Sequence, residues 1–216
     1  MNFSEISVRT VLSEPFQENG YVVHRRGSTD CFLVDPGLEP EKFIDALETQ
    51  GLVPVAFLIT HGHTDHIGGI TEIRKRWNDC KIYIGEKEKE KLTDADKNLS
   101  SMFRQPLTFP EADFTLEDGD RLEVAGITVE VRHCPGHSQG HVIYYLPLQP
   151  KGILFSGDVI FQGSIGRSDF PDGDPQIQIG MIHKKVMLLP DDTVIYSGHG
   201  PATTVDTERR FNPFLR

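Results

Sequence analysis

The apolar run Val55-Ala56-Phe57-Leu58-Ile59 passes directly into Thr60-His61-Gly62-His63-Thr64-Asp65-His66. A short apolar run of this kind reads as a buried strand. The three imidazoles and the carboxylate beyond it cannot simply follow the strand into a core, since burying an unpaired polar group costs roughly 2–7 kcal/mol. Neutral imidazole and carboxylate are the ligand types taken by zinc and neighbouring first-row ions. A fold that suits this segment therefore ends the strand at a rim, where the cluster gathers around a cation.

Three later segments repeat the same local design of strand, glycine-containing turn, then His or Asp. Pro135-Gly136-His137 follows the strand-like run Ile127 to Arg132, Ser156-Gly157-Asp158 follows Ile153 to Phe155, and Ser197-Gly198-His199 follows Val194 to Tyr196. Glycine lets the backbone turn tightly, so that the next side chain points into a shared space. Each segment alone reads equally well as an ordinary turn or helix cap. Together with the first cluster they make seven candidate metal ligands: His61, His63, Asp65, His66, His137, Asp158 and His199.

Elsewhere, periodicity predicts strands at Val8 to Leu12, Tyr21 to Arg25 and Cys31 to Val34, with turns at Asn19-Gly20 and Arg26-Gly27-Ser28, as in an antiparallel meander. Helices are predicted over Glu39 to Gln50, stopping at Gly51, over Ile67 to Trp77 and over Gln176 to Leu188. Further strands are expected at Lys81 to Ile84, Arg121 to Val124, Val142 to Leu146 and Thr193 to Tyr196. The alternating charges of Glu86 to Lys91 read as a solvated helix surface without function. Lys97 to Asp113 reads as an irregular loop or lid at the site mouth. Trp77, Phe103 and Cys134 are expected to pack, and His133 and His141 to sit outside the ligand set. His24 and His183 read as surface or helix residues. Strands lead and helices flank in both halves, which suits one domain over residues 1–216 with two mixed sheets face to face and helices outside.

A formal charge of −10 argues against nucleic acid as a partner, because that affinity rests on Lys and Arg neutralising phosphates. The odd set Cys31, Cys80 and Cys134 suggests free thiols in a reducing compartment, hence a cytoplasmic location. The first residues lack a basic leader with an apolar block, and no stretch reaches the roughly 18 apolar residues of a membrane span, so no membrane partner is expected. The sequence leaves the oligomeric state open.

These segments resemble the metallo-β-lactamase-fold hydrolases, and within them the glyoxalase II-like (hydroxyacylglutathione hydrolase-like) branch. The motif Thr-His-x-His-x-Asp-His-x-Gly-Gly stands intact as Thr60 to Gly69, and the Pro-Gly-His, Ser-Gly-Asp and Gly-His elements follow in the family's order. The resemblance implies an α/β fold, a four-layer αββα sandwich. It implies that His61, His63 and His137 take one divalent metal, that Asp65, His66 and His199 take the other, and that Asp158 bridges them. Zinc is the first expectation, with iron or manganese also suited. Such a pair shares a hydroxide whose pKa it depresses toward neutrality, and that hydroxide would attack a small-molecule thioester. Asp65 and Asp158 are then catalytic by orienting the nucleophile.

The resemblance thins toward the substrate. Glyoxalase II enzymes commonly continue the last motif as Gly-His-Glu-Tyr and add a helical tail with basic residues that hold glutathione, whereas here Gly200-Pro201 follows His199 and the tail is missing. Arg167, in Gly166-Arg167-Ser168-Asp169, falls where that family has a glutathione-contacting lysine, and is the candidate for binding a substrate carboxylate. Two other readings stand beside this one. Gly166 to Phe170 also resembles persulfide dioxygenases, a branch with one iron on the three-His face, although that branch has Cys where this chain has His141. A non-catalytic scaffold with a structural metal would instead close its site at four ligands.

Overall fold

Successive residues of a strand face opposite sides of the sheet, and in the central strands here both sides are apolar. The computed structural model, which describes residues 1–216, resolves this pattern into two six-stranded sheets packed face to face. In the first sheet β1 (Ile6–Ser13), β2 (Glu18–Arg25) and β3 (Asp30–Val34) form the expected antiparallel meander. Next come α1 (Pro40–Gln50), β4 (Val53–Ile59), α2 (Thr64–Ile67), α3 (Ile70–Arg76), β5 (Lys81–Gly85) and β6 (Phe114–Leu116), with β3 to β6 all parallel. The second half contributes β7 (Arg121–Val124), β8 (Ile127–His133), β9 (Val142–Leu146), β10 (Ile153–Gly157), a small hairpin of β11 (Ile160–Phe161) and β12 (Ser164–Ile165), α4 (Pro175–Lys185), β13 (Val194–Ser197), β14 (Thr203–Thr204) and α5 (Val205–Phe211). Its sheet runs in the order β14-β13-β10-β9-β8-β7, with β10 and β13 parallel.

The layers follow from the alternation. Phe32 and Val34 of β3 enter the core between the sheets with Val131, Tyr144 and Phe155, while Cys31 and Leu33 face Phe43, Leu47, Ile70 and Ile73 of α1 and α3. On the other sheet Ile143 and Tyr145 of β9 pack with Ile182 of α4 and Val205 of α5. This is the four-layer αββα sandwich. Each fully buried Phe, Leu or Ile contributes roughly 1.5–3 kcal/mol, so these three apolar layers hold the fold and leave the polar strand ends free for other work. No helix is long and apolar enough to cross a membrane.

Four local expectations are corrected. Asn19 and Gly20 lie within β2 rather than in a turn, and the chain reverses at residues 14–17 instead. A Cβ on Gly20 would sit 2.3 Å from both the Asp35 carbonyl oxygen and the Phe43 ring, so glycine serves close packing there. The helix expected over Ile67 to Trp77 is split into α2 and α3 at Gly68-Gly69, where a Cβ would meet Leu38 at 2.5 Å or the Gly37 carbonyl at 2.8 Å. The charged tract forms a 3-10 helix over Glu86–Leu92 in which Glu88 and Lys91 are buried. Phe103, in a short turn within the irregular stretch, meets Phe16 edge to face but is 53% exposed rather than buried in a core. The short β6, β11, β12 and β14 and the helix α5 escape a periodicity reading because two to seven residues carry too little pattern.

Candidate metal centre

The strand ends build the site. In a parallel pair the C-terminal ends share an edge, and β10 and β13 bring Asp158 and His199 to the edge that also receives β4 and the turn after β8. Hydrogen bonds join the sheets there, among them Val142 N–H to the Thr60 carbonyl at 2.9 Å, Tyr144 O–H to the Ile59 carbonyl at 2.7 Å and Asn19 N–H to the Gly198 carbonyl at 2.7 Å. Gly136 and Gly157 adopt φ of 139° and 48°, the left-handed turns that aim His137 and Asp158 inward. Gly198 serves differently: a Cβ there would lie 2.2 Å from Asp158 Oδ1 and 2.7 Å from His66.

His61 Nε2, His63 Nδ1 and His137 Nε2 lie 3.0–3.1 Å from one another. The surrounding bonds assign the protons. His137 Nδ1–H donates to the Arg167 carbonyl at 2.7 Å. Thr60 Oγ1 donates to Asp35 at 2.6 Å, and so accepts from His61 Nδ1–H at 3.1 Å. The Nε2 atoms of His61 and His137 are therefore two lone pairs facing each other, a contact that a cation placed among the three rings resolves. Burial, reinforced by the neighbouring imidazoles, pushes His61 and His63 well below the usual histidine pKa, and burial lowers His137 as well. All three are held neutral, the form that ligates.

The second group is Asp65, His66 and His199, with His66 Nε2 and His199 Nε2 at 3.7 and 3.6 Å from Asp65 Oδ2. Asp158 stands between the groups. Its Oδ1 is 3.4 Å from His66 Nε2, and its Oδ2 is 3.5 Å from His199 Nε2 and 3.7 Å from His137 Nε2. His66 Nε2 and Asp158 Oδ1 are buried without any hydrogen-bond partner, as atoms aimed at a cation would be. Burial opposes charge on Asp158, yet the facing His66 and His199 hold its carboxyl well below the usual range. Burial likewise opposes charge on His199, but the facing carboxylates of Asp158 and Asp65 hold it up to about 9. The carboxylates thus demand positive charge at this spot, and a divalent cation fits the same donors.

Three residues outside the candidate ligand set hold this geometry: Asp35 and Glu88, assigned no role from the sequence, and His141, expected beside the ligands rather than among them. Asp35, at the end of β3 with a strained φ of 46°, accepts from Thr60 N–H at 2.8 Å, from Thr60 Oγ1 and from His66 Nδ1 at 3.1 Å. It thereby turns His66 Nε2 toward the centre, the carboxylate–histidine arrangement that raises ligand basicity. Asp35→Asn is expected to weaken metal binding about 10- to 100-fold in a chelator competition while the circular dichroism spectrum persists; an unchanged affinity would contradict the role. Glu88 is fully buried and receives Gly62 N–H at 2.8 Å, Gly140 N–H at 2.8 Å and Ser138 Oγ–H at 2.9 Å, bracing the loops of His61, His63 and His137. His141 stacks on His61 with ring centroids 4.7 Å apart and accepts from Asp158 N–H at 3.2 Å. Cys134 is buried, its thiol pushed up to about 12 by burial.

These candidate ligands open onto a cleft of about 360 Å³, walled by Phe16, Met102, Phe103, Phe170 and Arg167. Arg167 Nε and Nη2 donate to the Asp169 carboxylate at 2.6 and 2.7 Å, and the guanidinium lies 4.6 Å over the Phe170 ring. Both partners of that ion pair are largely exposed, so it is weak and exchangeable. The arrangement can hold metal ions at the floor of a cleft with room for a ligand above them.

Comparison with known proteins accords with this geometry. The family model described as the metallo-beta-lactamase superfamily matches residues 13–199. The chain is 40% identical over 202 residues to a probable metallo-hydrolase, YqgX, of Bacillus subtilis (strain 168), covering 93% of each chain. It is 37% identical over 187 residues to the hydroxyacylglutathione hydrolase GloC of Haemophilus influenzae, covering 85% of this chain and 86% of that one. Among solved structures it resembles the BLEG-1 B3 metallo-beta-lactamase, with a TM-score of 0.92, 38% identity and 97% and 99% of the two chains covered. It also resembles TTHA1623 in a di-iron-bound form, with a TM-score of 0.84, 37% identity and 96% and 100% covered. From its fold, its rim of histidines and aspartates and these matches, the chain belongs to the metallo-beta-lactamase superfamily of metallo-hydrolases.

Proposed function

We propose that this protein hydrolyses thioesters of the S-acylglutathione type at a dinuclear metal centre. One observation carries the reading: the Asp158 carboxylate lies between two complete ligand groups, with one oxygen toward His66 and the other toward His137 and His199. The di-iron form of TTHA1623 and the hydroxyacylglutathione hydrolase GloC support it from outside. His61, His63 and His137 would hold one ion, Asp65, His66 and His199 the second, and Asp158 both. A pair of divalent cations, zinc by ligand type with iron or manganese also suited, supplies when bound a water acidic enough to ionise near neutral pH and an electrophile for the carbonyl oxygen.

Around that chemistry the chain's own groups orient and shield. Asp65 and Asp158 fix where the attacking water sits, and Asp35 and Glu88 fix the ligands. Phe170 packs its edge against His63 and His137 at 4.8 and 5.5 Å, which keeps bulk water from that side. Arg167 can exchange Asp169 for a carboxylate of the thiol half. A thiolate leaves without strong general-acid help, so the absence of a proton donor from the reading is no obstacle. The free, buried cysteines accord with a reducing, cytoplasmic setting.

The likeness to a B3 metallo-beta-lactamase favours β-lactam hydrolysis as a second reading. Metal analysis of the purified protein, combined with S-lactoylglutathione, a β-lactam and glutathione persulfide as substrates, separates the possibilities. Expected are about two equivalents of metal, thiol release from the thioester and no oxygen uptake. One iron with oxygen consumption, or turnover of the β-lactam alone, would overturn the proposal.

A further inference from the structure

The two walls of the cleft differ in chemistry. On the side of the three-His group stand Phe170 and Arg167, the one permanent cation among the lining residues. The other wall is mostly apolar: Phe16 and Phe103 meet edge to face with centroids 5.1 Å apart, Met102 lies beside them, and Phe16, Phe103 and Thr64 continue into a smaller cavity that Leu38 and Leu107 line with Ser100 and Gln105.

This apolar wall is held open to solvent. Met102 and Phe103 are 69% and 53% exposed. They sit on a turn bracketed by Leu99 and Arg104, two non-glycine residues at φ of 69° and 58°. The buried Asn98 pins that turn. Its side chain donates to the Lys91 and Leu107 carbonyls at 3.0 and 2.9 Å and accepts from Ser100 N–H at 3.0 Å, and its own carbonyl accepts from Thr64 N–H at 3.0 Å, next to Asp65. Apolar side chains fixed in this way over a polar floor lower the cost of excluding water only when an apolar group covers them.

We propose that the cleft selects thioesters with an apolar acyl chain, taken up by Phe16, Met102 and Phe103, and that Phe103 determines this specificity. The inference rests on the thioesterase reading and refines it: the anionic thiol half lies toward Arg167, and the acyl half lies away from it, against side chains that are apolar apart from the Thr64 hydroxyl. Short polar acyl groups such as lactoyl are then poor fits.

The test uses the metal-replete protein with glutathione thioesters of lactate, acetate, butanoate and hexanoate, and, as a binding probe without turnover, S-methyl- and S-hexylglutathione measured by calorimetry. KM is expected to fall about threefold per added methylene with little change in kcat, and S-hexylglutathione to bind more tightly than S-methylglutathione in proportion. Phe103→Ala should flatten both series and raise the hexanoyl KM about tenfold, while Phe103→Leu restores most of the slope. Thioester turnover without dependence on chain length, or a slope that survives Phe103→Ala, would overturn the inference and leave the thioesterase reading standing. If no thioester turns over, that reading fails, and equal affinities for the two thioethers would then remove the apolar subsite as well, whereas a retained preference would support it. A native mass of two chains that drops to one in Phe103→Ala would show a second copy covering the turn, and would also overturn the inference.

Discussion

Replacing Asp158 with Ala is expected to lower the metal content from about two equivalents to about one and turnover by roughly 10³-fold. The reason lies in the position of the carboxylate, on the buried turn after β10, where its oxygens face His66 on one side and His137 and His199 on the other. Two divalent cations held by these neighbouring groups would repel each other in a partly dry site, and an anionic side chain between the groups would offset that repulsion. Alanine removes both the ligand atoms and the charge. Asp158→Asn keeps the shape and one neutral oxygen, so it should retain more metal than Asp158→Ala while losing most of the rate. Metal analysis with thioester kinetics on both variants checks this; full metal occupancy with wild-type turnover in Asp158→Ala would sink the dinuclear proposal.

Glu88→Ala is expected to destabilise the fold by about 3–5 kcal/mol, a drop in melting temperature on the order of 10 °C for a chain of this size. Four donors converge on this buried carboxylate: Gly62 N–H, Gly140 N–H, Ser138 Oγ–H and the ammonium of Lys91 at 3.0 Å. Alanine would strand them. Lys91 keeps Asp172 at 2.7 Å, so its charge is not wholly orphaned. Glu88→Gln helps little, because its amide would turn one oxygen into a donor facing donors. Removing the cation as well, in Glu88→Ala/Lys91→Met, should recover part of the loss in thermal unfolding. Because Gly62 lies between His61 and His63, metal affinity should fall together with stability. A melting temperature within about 2 °C of wild type would show that the brace contributes nothing.

The same residue shows where reading the chain alone stops. Glu86 to Lys91 alternates in charge, and such a tract is ordinarily solvated. Whether one member is buried depends on donors brought to it from Gly62, Ser138 and Gly140, which lie 26 to 52 residues away. Asp35 was missed for the same reason, since its partners Thr60 and His66 meet it only through the parallel pairing of β3 with β4. Asn19-Gly20 looked like a turn because the local dipeptide favours one, while the packing of Phe43 and Asp35 against Gly20 required a small residue inside a strand. The main strands and helices were legible because a strand buried on both faces reads as a short continuous apolar run and a helix with one buried face repeats its apolar residues every three to four positions.

The sequence by itself determined the candidate ligands as a list of residues: His61, His63, Asp65 and His66 are neighbours in the chain, and His137, Asp158 and His199 each follow a glycine at the end of an apolar run. Only the tertiary structure decided which of them face one another, how Asp35 and Glu88 hold them, and that an apolar wall stands over them. Spacing along the chain governs what a single strand end can present, whereas distances between strand ends, and the burial of charges among them, arise only once the two sheets have packed.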